Sequence, residues 1–148
     1  MKKQAYTMIA MIVLVGSMAA AAQAQTSGRT QLIANIPFEF NVGTKTMPAG
    51  EYTVSQVNPS SDHAVLQLRS KDGRSGAMVQ MGSVIGKAQE SAKLIFKRYG
   101  NHYFFAQAWV DGENSGLQAP KSRSGRATER ELVGIKMSTE SVALTTRR

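Results

Sequence analysis

Ser61-Asp62-His63 sets the three residue types of a nucleophilic triad side by side. A triad works only when its members converge in space beside an oxyanion hole, and sequence neighbours point apart. The tripeptide also follows Pro59 between two strand patterns, where Ser and Asp are ordinary turn residues. The two histidines, His63 and His102, stand in no H-x-H or H-x-x-x-H spacing, and the chain has no cysteine. Three or four converging metal ligands are therefore not spelled out, and no cofactor is expected. Gly82-Ser83-Val84-Ile85-Gly86-Lys87 echoes a phosphate loop, but three residues separate the glycines instead of four. Ala88 also stands where a hydroxyl would hold the metal.

Two patterns keep some chemical content. Glu39 and Glu51 flank a turn, and a carboxylate pair about 5–9.5 Å apart in a cleft is what glycoside hydrolysis requires. A solvated strand face requires nothing of either. Lys97-Arg98-Tyr99 and His102-Tyr103 interleave basic and aromatic groups, which can stack on sugars or pair with phosphate.

The elements that position these groups are strands, because apolar residues recur at every second position. Ile36, Phe38, Phe40 and Val42 share one face, with Pro37, Glu39 and Asn41 on the other, which predicts a strand over Ile36–Val42. Pro37 lacks an N–H, so it belongs at an edge or at the strand's first residues. Pro48 and Gly50 turn the chain into a second strand over Glu51–Val57. Ala64–Ser70 and Ala77–Met81 form a hairpin about Asp72-Gly73. Gly82 to Ser91 reads as a looser connection. Lys93–Tyr99 and His102–Val110 form another hairpin, in which Tyr103, Phe105 and Trp109 share one face and Phe104, Ala106, Ala108 and Val110 the other. Residues 111–135 read as a long loop and a short helix, the helix starting at the capping-box spacing Thr128-Glu129-Arg130-Glu131 and ending near Gly134. Val142–Thr145 reads as a last strand.

The ends and the composition place the chain. Lys2 and Lys3 precede the apolar run Met8–Val15, and Ala22-Gln23-Ala24 matches the small-x-small pattern of signal peptidase. The apolar run is short for a membrane span of about 20 residues. Residues 1–24 are thus expected to be a cleaved signal peptide, and 25–148 a single β domain exported to the periplasm or beyond, with no transmembrane span after cleavage. The chain carries a net charge of +8, and after Ala119 seven basic residues face three acidic ones. That excess suits an anionic envelope polymer or another envelope protein as partner, while export argues against nucleic acid.

The order I-P-F-x-F-x-V-G (Ile36–Gly43), P-A-G-x-Y (Pro48–Tyr52), R-Y-G-x-x-Y-F (Arg98–Phe104), Trp109 and E-R-E (Glu129–Glu131) resembles a family of small exported bacterial β-domain proteins. The resemblance implies export and a compact β domain; it supplies no activity and no site residues. The expected fold is all-β, an antiparallel sandwich or small barrel of about seven strands with one short C-terminal helix. The expected function is non-enzymatic binding or packing within the envelope, through a basic surface of Arg98, Tyr99, Lys121, Arg123, Arg126 and Arg130. A small hydrolase of envelope polysaccharide is the alternative, and a subunit completing a partner's sheet at the Pro37-bearing edge is a third reading.

Overall fold

A computed structural model describes residues 31–58, 63–121, 123–131 and 134–146 of the 148-residue chain. The leader 1–24, Ser61 and Asp62 lie outside the described residues. The elements in chain order are β1 (Leu32–Ile36), β2 (Phe40–Val42), β3 (Lys45–Met47), β4 (Gly50–Gln56), β5 (Ala64–Ser70), β6 (Gly76–Ile85), β7 (Lys93–Tyr99), β8 (His102–Trp109), β9 (Ser115–Gln118), α1 (Arg123–Glu131) and β10 (Met137–Thr146). Around the wall the order is β8-β7-β10-β1-β4-β5-β6-β9, and β9 pairs back to β8. Eight antiparallel strands close into a barrel, which leaves fewer bare sheet edges to protect.

The far edge of β8 is divided between two neighbours. Gln107–Trp109 pair with β9, while Phe104 meets Asn41 of β2 in a single parallel bridge. The β2–β3 hairpin therefore sits beside β8 at one end of the barrel, with Phe40 and Met47 wholly buried. Lys45 Nζ donates to the Gly76 carbonyl at 2.6 Å, linking this hairpin to the start of β6.

Four expectations about the elements are corrected. Ile36–Val42 is not one strand: β1 ends at Ile36, and Pro37–Glu39 carries the chain to β2. The alternation still marks burial, because Ile36, Phe40 and Val42 are buried and Phe38 is half-buried. β6 continues through Ile85 where a loose connection was expected, and its last four residues pair with β9, inside the stretch read as a loop. The helix starts at Arg123 rather than at Thr128, which lies within it. Among the described residues ten strands form, eight of them in the barrel wall, where about seven were expected.

The fifth correction concerns β8. Phe96 pairs with Phe105 but Ile95 pairs with Gln107, so Ala106 is an extra residue on β8, a β-bulge. The bulge inverts the alternation beyond it. Phe105 and Ala108 face the interior, and Trp109 turns outward over Gly86 and Gly116, although the unbroken pattern had put Phe105 and Trp109 on one face.

One end of the interior is packed with rings. Phe96 meets Phe38, Phe40 and Phe105 edge-on with centroids 5.2, 5.3 and 5.8 Å away. Phe38 stacks on Tyr103 at 3.9 Å. Tyr52 is 1 % exposed, packs against Phe40, and donates its hydroxyl to the Pro48 carbonyl at 2.5 Å, holding the turn into β4.

Burial, and then the nearby Asp72 carboxylate, raise the Tyr52 pKa above the ordinary tyrosine value of 10.0. A raised folded-state pKa means that the folded chain keeps this proton longer than the unfolded one. Its stabilising contribution is complete below about pH 10 and is lost as the pH climbs toward the folded value. Denaturant titrations should show stability falling above about pH 10. Tyr52→Phe should make that fall shallower and cost about 0.5–1.5 kcal/mol at neutral pH through the lost hydrogen bond.

Candidate functional site

The opposite end of the barrel is open. The inward positions there are Leu32, Val54, Leu66, Ala92, Ala108, Leu117 and Leu144, two of them alanines, and they surround a cavity of about 640 Å³. An eight-stranded barrel is just wide enough for side chains to fill it or for one small ligand to enter. In this chain the two halves take the two options. Aromatic rings fill the end near β2, and alanines with branched aliphatic residues leave the other end hollow. The bulge at Ala106 contributes directly, because without it Gln107 would take Ala108's inward place opposite Leu94 and the Trp109 ring would point inward beyond it.

The rim is built from chain ends and loops. Gln56, Ser83, Ser115 and Thr146 supply polar groups, and Val110, Asp111 and Glu113 approach from the turn after β8. That turn is laced to the loop after β6 by backbone hydrogen bonds: Gly86 N to Asn114 O at 2.8 Å, Gly112 N to Gln89 O at 2.9 Å, and Gln89 N to Glu113 O at 3.2 Å. Across the mouth, Asn58 ties the loop after β4 by donating to His63 O at 2.6 Å and accepting from Val65 N at 2.7 Å. Laced loops on both sides hold the opening in shape, which favours a preformed site.

Of the six basic and aromatic residues expected to form one surface, Arg98 and Tyr99 point to opposite sides of the wall, while Tyr99 and Lys121 share a cleft roofed by Gly125 of α1. Arg98 follows the inward alternation of β7. Its Nε donates to Gly100 O at 2.8 Å, its guanidinium lies 5.4 Å from the Tyr103 ring centroid, and it pairs with Glu140 at 3.4 Å. Tyr99 takes the outward side of β7 and meets Phe104 edge-on at 5.9 Å. It lines a cleft there with Lys121. Arg123, Arg126 and Arg130 lie exposed on α1, and their spacing of three and four residues puts them on one helix face. Arg98 thus lies at the ring-filled end of the barrel, apart from Tyr99 and Lys121, whose outer cleft is roofed by the helix that carries the three arginines. The reason is the strand period of two, which sends neighbours such as Arg98 and Tyr99 to opposite sides of the wall.

The other candidates are ordinary in their settings. Glu51 pairs with Lys71 at 3.3 Å with both side chains well exposed, a contact worth little. Asp72 accepts from Ser70 Oγ at 2.6 Å and from Arg74 N at 3.0 Å, and these hydrogen bonds lower its pKa. It therefore shapes the β5–β6 turn as its Asp-Gly pair implies. Among the described residues no three His, Asp or Glu groups come together as metal ligands, and no helix is long and apolar enough to cross a membrane.

The sequence reading missed the cavity altogether. Its walls depend on a bulge, on the short strand β9 and on Leu117, which stood in an apparent loop. In comparisons with known proteins, no family model, curated protein or solved structure matches this chain.

Proposed function

We propose that this chain is an exported, non-catalytic binding domain that takes one small, largely apolar molecule into the open end of its barrel. The observation that carries this reading is the cavity of about 640 Å³ with aliphatic walls and a polar rim. Its size falls within the usual range for small-molecule sites, about 300–1,000 Å³. A ligand placed there gains by removing its own apolar surface from water, at about 25 cal/mol per Å². The rim serines, Gln56 and Thr146 can meet a polar head group. Export rests on the leader pattern of residues 1–24, and the resemblance to small exported β-domain proteins agrees with it.

One observation favours the hydrolase alternative: two carboxylates, Asp111 and Glu113, both line the mouth. They stand two residues apart on one side of the opening, both exposed. Glycoside hydrolysis sets its pair on opposite flanks of the scissile bond. The binding reading is therefore preferred.

The test is titration of the mature protein with the neutral fluorophore N-phenylnaphthylamine. Saturable, blue-shifted emission is expected. Ala108→Phe, which directs a ring into the cavity, should weaken binding by at least about tenfold while leaving the β-type circular dichroism intact. Absence of saturation, or equal binding by a folded Ala108→Phe variant, would refute the proposal.

A further inference from the structure

A second cleft lies on the outside of the barrel wall, away from the mouth. Its floor is the outward face of β7 and β8, with Lys97, Tyr99, Phe104 and Gln107. Its roof is the chain from Gln118 to Lys121 and Gly125 of α1. The bulge helps to fix the roof, because Ala119 N donates to the Ala106 carbonyl at 2.8 Å. The cleft holds about 170 Å³, room for a compact group rather than a chain.

Its charge is one-sided. Lys97 and Lys121 both line it, and no carboxylate does among the described residues. Lys97 is half-buried and has no ion-pair partner among the described residues. A partly desolvated ammonium in a cleft attracts an anion more strongly than the same group in open water. The three exposed arginines stand on the helix whose Gly125 roofs the cleft and add to the positive field on that side of the protein. The remaining wall is divided between carbon, from Phe104, Ala119 and Pro120, and the Gln107 and Gln118 amides.

We infer that this outer cleft binds the acidic group of a small organic anion, its carboxylate set between Lys97 and Lys121 and its ring or carbon body against Phe104 and Pro120. This site is independent of the barrel mouth. It also narrows the expected anionic partner to the part of the predicted surface, Tyr99 and Lys121, that the fold brings together.

Calorimetric titration of the mature protein with benzoate, glucuronate and inorganic phosphate, beside uncharged benzyl alcohol and glucose, tests the assignment. Benzoate or glucuronate is expected to bind saturably, with affinity falling as salt rises, and the uncharged compounds are not. Lys97→Gln and Lys121→Gln should each weaken that binding by about tenfold, and Lys97→Arg should retain most of it. N-phenylnaphthylamine should bind the barrel mouth equally in all three variants, which reports their folding and separates the two sites. Binding by phosphate alone would remove the organic part of the inference. Failure of both organic anions to bind, or binding unchanged in Lys97→Gln, would overturn it.

Discussion

Phe96→Ala is expected to lower the unfolding free energy by about 3–5 kcal/mol. Phe96 is wholly buried and its ring contacts Phe38, Phe40 and Phe105, which come from the Pro37–Glu39 link, β2 and β8. Removing it opens a cavity where three elements meet, and none can close it without leaving its own hydrogen-bonded neighbours. Because domains of this size are stable by only about 5–15 kcal/mol, the variant should sit near the edge of folding. The measurement is the midpoint of guanidinium unfolding, with the slope unchanged so that the shift reports stability and not a change of compactness. Val110→Ala is the control: Val110 is 49 % exposed, and its truncation should stay within about 0.5 kcal/mol. Equal effects from the two would mean that the ring cluster does not hold the barrel's filled end.

Residues with strong alternation declared their places from sequence, and those whose places depend on pairing partners did not. The hairpins of β5 with β6 and of β7 with β8 were legible because each couples a period-two pattern to a turn with a mechanism. Gly73 and Gly100 both adopt positive φ, at 73° and 59°. The burial of Ile36, Phe40 and Val42 was legible for the same reason, yet the strand break at Pro37–Glu39 was hidden, because both strands keep the same inward phase. β9 was not legible: four residues, one of them glycine, are a strand only because β6 and β8 offer edges on either side. The cavity followed β9 out of reach. Its walls need Leu117 on a strand and Ala108 facing inward, and the second depends on the bulge at Ala106. The outer cleft was half visible, since Tyr99 and Lys121 were named from chemistry alone, while Lys97, the outward neighbour of Tyr99 two residues back, was passed over in favour of Arg98.

The bulge makes a second large effect expected at a residue with no side chain. Trp109 turns outward and its ring lies over the backbone of Gly116, its partner on β9. A Cβ at Gly116 would come within 2.7 Å of both Cδ2 and Cε3 of that ring. Those atoms are at the indole's fused end, near the Cα that anchors it, so the ring has little freedom to swing aside. Gly116→Ala should therefore cost about 1–3 kcal/mol by overpacking. It should also shift the emission of the sole tryptophan as its ring is displaced. Gly86→Ala also brings a Cβ to 2.7 Å of the same ring, but at Cη2, its far end. A small tilt relieves that contact, and the cost should be the smaller of the two. Combining Gly116→Ala with Trp109→Leu should restore part of the loss, because the two changes share one contact and are not additive. Gly116→Ala also tests the cavity wall, since Leu117 follows it on β9 and faces the mouth. If the alanine variant binds N-phenylnaphthylamine as tightly as the parent while losing stability, the outward tryptophan and the inward ligand site are mechanically separate. Weakened binding would mean that the Trp109–Gly116 contact holds the wall of the mouth in place.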